Sequence, residues 1–238
     1  MKNIGLIGCG NIAETYFRAQ EYFNNINFVS CADINLDAAK KTAEQYNIIP
    51  LSVDEILNDK NVDIILNLTI PQAHYEISKR ALEANKHVYC EKPMSVKFDE
   101  AKELLNLAKK NSLYIGNAPD TFLGGGGQLT RNLIDNNDIG QVLTGNFIFA
   151  FPGVQDFHPS PESWFQEGGG PVIDMGPYFF TTLVNLLGPV KNIRGRGAKF
   201  SDKREYKAGP KKGETFNVEI PTSYMFNIEF QNKAIIQG

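Results

Sequence analysis

The stretch Gly8-Cys9-Gly10-Asn11-Ile12-Ala13 follows the apolar run Asn3 to Ile7 and leads into an amphipathic segment. Few short arrangements constrain a fold as strongly. G-x-G-x-x-G/A between a strand and a helix is the turn that opens a dinucleotide-binding βαβ unit. Gly8 permits the tight turn, Gly10 lets the backbone approach a pyrophosphate, and Ala13 allows the helix to pack closely on the strand. The free N–H groups at the helix start, Asn11 and Ile12 among them, suit negative phosphates together with the helix dipole.

The second strand, Asn27 to Ala32, ends at Asp33. An acidic residue about 20 positions beyond the fingerprint receives the adenosine ribose hydroxyls and repels a 2′-phosphate, which favours NAD and leaves NADP possible. The alternative for Asp33 is a turn residue or a cap for the next helix, and Asn35 and Lys40 lie close enough in sequence to soften the preference. Apolar strands then alternate with helical patterns: a helix opened by Asn35 or Asp37, a short strand at Ile48 to Leu51, and a helix start at Ser52 with Glu55 three residues on. Strands follow at Val62 to Leu68, His87 to Cys90 and Leu113 to Asn117, with helices at His74 to Ala84 and Phe98 to Lys110. This is the pattern of a doubly wound parallel α/β sheet.

Beyond residue 118 glycine clusters and aromatics become frequent, so the expected domains are 1–118 and 119–238, the second an α+β domain with a largely antiparallel open sheet. The patterns predict a helix at Leu129 to Asn136, an alternating strand at Gln141 to Phe151, a buried helix at Val172 to Leu187, and strands at Val190 to Phe200 and Thr222 to Phe230. The charged, glycine-containing stretch Ser201 to Thr215 reads as a solvated hairpin loop.

A net charge of −3, with Lys and Arg scattered, offers no field for nucleic acid. No apolar run approaches the ~18 residues of a membrane span. Cys9, Cys31 and Cys90 match no metal-ligand spacing and fall in or beside predicted buried strands, which points to reduced thiols and a cytoplasmic protein without a metal centre.

The tripeptide Glu91-Lys92-Pro93 places an amine just after the strand ending at Cys90. Alone, Lys92 reads as a surface cation. Taken with Gly8 to Ala13, Thr69-Ile70-Pro71-Gln72-Ala73-His74, Ala84-Asn85-Lys86-His87-Val88-Tyr89-Cys90-Glu91-Lys92-Pro93, and Gly168-Gly169-Gly170-Pro171-Val172-Ile173-Asp174-Met175-Gly176-Pro177-Tyr178, the chain resembles the Gfo/Idh/MocA oxidoreductases, which include glucose-fructose oxidoreductase and inositol dehydrogenase. The resemblance spans essentially the whole chain. Members of that family are usually longer, so it implies an unfinished second sheet here and homo-oligomers for the complete domain.

The resemblance implies an NAD-dependent dehydrogenase acting on a CH–OH group of a sugar, inositol or sugar derivative. It places Leu68, Thr69, Pro71 and His74 near the nicotinamide, with His74 equally readable as a structural residue of the helix start. Glu91 is expected near the nicotinamide ribose or carboxamide, and Lys92 in the substrate pocket. The family pairs its lysine with an aspartate and, four residues later, a histidine. Here these positions are Asp174 and Tyr178, and a tyrosine also occurs in the glucose-fructose oxidoreductase branch. An ammonium beside a phenol favours phenolate, so the resemblance casts Tyr178 as acid/base, Lys92 as its partner and the holder of the substrate oxygen, and Asp174 as an orienting carboxylate. Asp120, His158 and Trp164 are the expected substrate contacts. The alternatives within the same family are a glycoside hydrolase that oxidises its substrate transiently and a dinucleotide-binding regulator without chemistry.

Overall fold

The computed structural model describes residues 1–158 and 160–238. They form two compact units, Met1–Ala118 and Pro119–Gly238.

In the first unit the elements run β1 (Lys2–Ile7), α1 (Ala13–Ala19), β2 (Ile26–Ala32), α2 (Leu36–Tyr46), β3 (Ile49–Pro50), α3 (Val53–Asn58), β4 (Ile64–Asn67), α4 (Pro71–Glu83), β5 (His87–Cys90), α5 (Phe98–Lys110) and β6 (Ile115–Asn117). All six strands are parallel, in the order β3-β2-β1-β4-β5-β6. The order reverses between β1 and β4, where open sheets of this kind leave a crevice at the carboxyl ends of their strands.

Strand alternation divides the apolar residues between two faces. Ile4, Leu6, Phe17, Phe28, Cys31 and Leu66 pack on one side, and Ile7, Ile56, Ile65, Leu82, Val88 and Leu104 on the other. The capping signals act as their chemistry dictates. The Asn35 side chain accepts the N–H groups of Asp37 and Ala38, fixing Asn35 as the opener of α2. Ser52 and Glu55 form a reciprocal capping box on α3, with Glu55 N–H donating to Ser52 Oγ (3.2 Å) and Ser52 N–H to Glu55 Oε2 (2.8 Å). Helix α4 starts three residues before its expected onset because Pro71 suits the first helical position, where no N–H is needed.

The second unit contains α6 (Gly125–Asp135), β7 (Thr144–Asn146), α7 (Gly176–Leu187), β8 (Val190–Ala198), β9 (Lys203–Glu205), β10 (Thr215–Asn217), β11 (Ser223–Phe230) and β12 (Ile235–Gln237). Its main sheet has the order β7-β12-β11-β8. The pairs β8/β11 and β11/β12 are antiparallel, and β12/β7 is parallel. Leu187, Ile228, Phe230, Ala234 and Ile236 form its core, joined by Phe147, Phe180 and Phe226. Arg131 of α6 donates from Nη1 to the carbonyls of Asn185 (2.8 Å) and Leu186 (2.7 Å), satisfying acceptors that the last turn of α7 leaves unpaired.

Two local expectations are corrected here and one is made more definite. The alternating pattern from Gln141 to Phe151 forms a strand only over Thr144–Asn146, because its parallel partner β12 pairs over those three residues alone. The stretch read as a solvated hairpin loop is an antiparallel hairpin whose strands, β9 and β10, reach into it. Helix α6 begins at Gly125 rather than at Leu129. A Cβ at Gly127 would lie 2.0 Å from the Phe122 carbonyl oxygen, so this glycine serves a close backbone approach in the helix's first turn.

Candidate functional site

At the carboxyl end of β1 the chain turns at Gly8, whose φ is +104° and whose N–H donates to the Ala32 carbonyl (2.8 Å). A Cβ there would stand 2.5 Å from the Leu68 carbonyl oxygen and 2.7 Å from the Thr69 nitrogen. The turn and the loop after β4 thus touch backbone to backbone. Gly10 is different: among the described residues a Cβ would meet nothing within 4 Å. Its open side is the cradle that a phosphate-bearing ligand needs, and the exposed Asn11 and Ile12 lead from it into α1, where Ala13 is buried.

Asp33 stands beside this turn. Its Oδ2 accepts the Cys9 N–H (2.7 Å) and its Oδ1 the Asn35 N–H (2.8 Å), so the carboxylate is fixed in place while keeping acceptor capacity for ribose hydroxyls. The Cys9 thiol is lowered in pKa by a hydrogen bond from Cys31, whose own thiol is raised by that same bond and by burial.

Glu91-Lys92-Pro93 follows directly from β5 at the same edge of the sheet, and several groups hold it. Glu91 N–H donates to the Asn67 carbonyl (2.9 Å). Its carboxylate accepts the Tyr16 hydroxyl at Oε1 (2.8 Å) and the Lys92 N–H at Oε2 (2.9 Å). Asn117 Nδ2 donates to the carbonyls of Cys90 (2.9 Å) and Glu91 (3.0 Å). Lys92 is half-buried, and its bond to Pro93 is cis.

His74 was expected either beside a nicotinamide or as a structural residue of the helix start. Its ring is 1% exposed, with Nδ1 2.6 Å from the Pro93 carbonyl oxygen and Nε2 2.9 Å from that of Thr69. Both neighbours are acceptors, so each contact formed as a hydrogen bond requires a hydrogen on that ring nitrogen. Asn67, also buried, donates to the His74 carbonyl and Ser78 Oγ (both 3.0 Å) and accepts the Thr69 hydroxyl (2.7 Å). Leu68 is core, its N–H on the Ile7 carbonyl (2.8 Å), and Pro71 is the first residue of α4. Gly8, Gly10, Asp33, Thr69, His74, Glu91 and Lys92 therefore gather at one edge of the first unit.

Tyr16, Asn67 and Asn117 were missed by the sequence reading. Asn67 left a signal, a polar side chain inside the apolar run Val62 to Leu68. Tyr16 left none, since its partner lies 75 positions away.

In the second unit Asp174 sits in a π-helical turn, Pro171–Met175, that precedes α7, and its Oδ2 accepts the Trp164 indole N–H (3.0 Å). The expected continuous α-helix from Val172 is thus wider in its first turn. Tyr178 lies in the first turn of α7, where its carbonyl accepts the Thr182 hydroxyl (2.7 Å). The glycine run before Asp174 has a packing cause. A Cβ at Gly169 would lie 2.6 Å from the carbonyl oxygens of Ser163 and Trp164, and Gly170 has φ +82°. Trp164 also walls a cavity of about 400 Å³ together with Phe149, Phe151, Phe179, Arg204 and Tyr224. Asp120 is exposed at the head of a 3₁₀ turn. His158 is exposed too, and its Nδ1 accepts the Ser160 N–H (3.1 Å). Its neighbour Pro159 lies outside the described residues.

Two family matches divide the chain between them. Residues 2–117 match the oxidoreductase family with an NAD-binding Rossmann fold, and residues 128–238 match the GFO/IDH/MocA C-terminal domain. The chain belongs to the GFO/IDH/MocA family. Its first unit is the NAD-binding Rossmann fold, and the residues at the sheet edge fit that cofactor through the open Gly10 and the tethered Asp33.

An uncharacterised oxidoreductase of Schizosaccharomyces pombe is 33% identical over 152 residues, 63% of this chain and 40% of that protein. The D-xylose dehydrogenase of Paenarthrobacter nicotinovorans is 27% identical over 177 residues, 71% of this chain and 46% of the relative. Levoglucosan dehydrogenase, solved with NADH and L-sorbose, superposes with a TM-score of 0.85 at 21% identity, covering 99% of this chain and 65% of that one. The chain thus spans less than half the length of these two curated relatives. No helix among the described residues is long and apolar enough to cross a membrane.

Proposed function

We propose that this chain serves a dehydrogenase that moves a hydride between a CH–OH carbon of a sugar, inositol or sugar derivative and NAD. The observation that carries the reading is the lysine turn: Glu91-Lys92-Pro93 leaves the carboxyl end of β5 on an NAD-binding sheet, pinned by Tyr16, His74 and Asn117. The family named for glucose-fructose oxidoreductase and inositol dehydrogenase supports the substrate class, as does a relative named D-xylose dehydrogenase.

Oxidising a secondary alcohol takes a hydride from carbon and a proton from oxygen. When bound, the nicotinamide supplies the hydride acceptor. The chain's own residues do the rest. Backbone N–H groups following Gly10 hold the pyrophosphate, and Asp33 takes the adenosine ribose and disfavours a 2′-phosphate, which makes NAD the preferred form. Lys92 binds the substrate oxygen and steadies the charge left as its proton departs, Tyr178 accepts that proton, and Asp174 orients the polar partners of the reaction.

A panel of polyols and aldoses, scored by NADH absorbance, tests the reading. At least one should give net NADH formation. Lys92→Met and Tyr178→Phe should each lower kcat by roughly 10²–10⁴-fold, the usual weight of positioned proton transfer, with NADH affinity retained. Wild-type turnover in either variant would refute the roles assigned.

A further inference from the structure

His74 takes no part in the proposed hydride and proton transfer, yet its surroundings are specific. The ring is buried and touches two loops at once: the Thr69 carbonyl after β4 and the Pro93 carbonyl after β5. The β4 loop is the one whose backbone meets Gly8 of the phosphate turn, and the β5 loop carries Lys92. The His74 backbone is fixed as well, because its carbonyl accepts Asn67 Nδ2, and the same amide bonds Ser78 and, through its oxygen, Thr69. Asn67 also accepts the Glu91 N–H at its backbone carbonyl. A planar ring with two fixed nitrogens is a rigid spacer, whereas a flexible side chain in its place could serve one carbonyl and release the other.

We infer that His74 is a positioning residue, a single imidazole that bridges the cofactor-side and lysine-side loops and fixes the distance between them. Buried, with both ring nitrogens against protein carbonyls, it acts through the backbone of Thr69 and of Pro93. Its effect on turnover rests on the function proposed above, but the bridge itself does not.

Hydrogen exchange read by mass spectrometry over residues 67–72 and 91–95 tests the bridge without any substrate. In His74→Ala both segments should exchange faster together, by roughly the tenfold that one lost hydrogen bond allows. Added imidazole, which can refill the space between the two carbonyls, should slow both again. His74→Gln, whose single terminal amide cannot span the space between the two carbonyls as a ring does, should protect one segment and not the other, and it serves as the second variant should His74→Ala fail to fold. In the dehydrogenase assay His74→Ala should lower kcat at least tenfold with the NADH dissociation constant within about twofold of wild type, and imidazole should restore part of kcat. Exchange that rises in one segment alone or in neither, or variants that imidazole leaves unchanged, would overturn the inference. A wild type that oxidises no polyol while the exchange pattern holds would sink the proposed function and spare the bridge.

Discussion

An added methyl group meets very different surroundings at the two fingerprint glycines, and this separates folding from binding at one turn. At Gly8 an alanine must adopt φ near +104° and press its Cβ to 2.5 Å from a carbonyl oxygen of the β4 loop, a backbone atom that cannot rotate away. Strain of that kind costs about 1–3 kcal/mol, and overpacking against fixed atoms about as much again. Gly8→Ala should therefore destabilise the ligand-free protein by about 2–6 kcal/mol, roughly 5–20 °C in the unfolding midpoint for a chain of this size.

At Gly10 the same methyl meets nothing within 4 Å among the described residues, and the backbone is not in the left-handed region. Gly10→Ala should leave the ligand-free midpoint unchanged or raise it slightly, since replacing glycine where the backbone tolerates it gains about 0.4–1 kcal/mol. The cost falls on the cofactor, whose pyrophosphate must approach that backbone. An overlap of about 1–3 kcal/mol weakens NADH about 5- to 150-fold. Thermal scans without ligand and NADH fluorescence titrations of both variants decide the matter. If Gly10→Ala lowers the ligand-free midpoint as far as Gly8→Ala, or binds NADH like the wild type, the assignment of the turn is wrong.

Asp33→Ser should narrow the preference for NADH over NADPH at least tenfold, measured as the ratio of dissociation constants, and an unchanged ratio would remove Asp33 from ribose recognition. Iodoacetamide at neutral pH should label Cys9 first, because its half-exposed thiol is lowered by the Cys31 hydrogen bond. Cys90, pushed up to about 12 by burial, should stay unmodified until unfolding, and peptide mapping that finds Cys90 alkylated at an equal rate would contradict this. The Lys2 ammonium, with the Asn3 N–H, holds the Asp63 carboxyl below its usual range. A depressed carboxylate stabilises the fold above its unfolded pKa of ~3.9 and loses that contribution as pH falls through its folded value. Wild type should therefore lose more stability than Asp63→Asn in urea titrations carried below pH ~4, and parallel curves would refute the linkage.

Much of the first unit was legible because its signals are local. The fingerprint needs only the strand before it and the helix after it, and the capping box at Ser52 and Glu55 closes within four residues. What the sequence hid depends on long-range contact. The Tyr16 hydroxyl reaches Glu91 across 75 positions, and no periodicity records such a bond. His74 looked like a ligand contact or a helix-start residue, and only the fold shows its two nitrogens directed at carbonyls of different loops. In the second unit, glycine's low helix propensity argued against the first turn of α6, and the close approach to Phe122 overrode it. The alternation of Phe147, Phe149 and Phe151 suits a strand, but a ladder also needs a neighbour, and β12 reaches only to Asn146.

If Asp33 receives the adenosine ribose as proposed, its tether has a consequence for the choice between dinucleotides. Two backbone N–H groups already hold this carboxylate before any ribose arrives, so little rotameric entropy remains to be lost on binding. Such preorganisation sharpens affinity for a bare diol, and it also removes the option of swinging aside for a phosphorylated one. On the function proposed above, the anchored carboxylate would reject a phosphorylated ribose rather than make room for it. Relaxing the choice would require removing the carboxylate, as in Asp33→Ser, or loosening the turn that holds it.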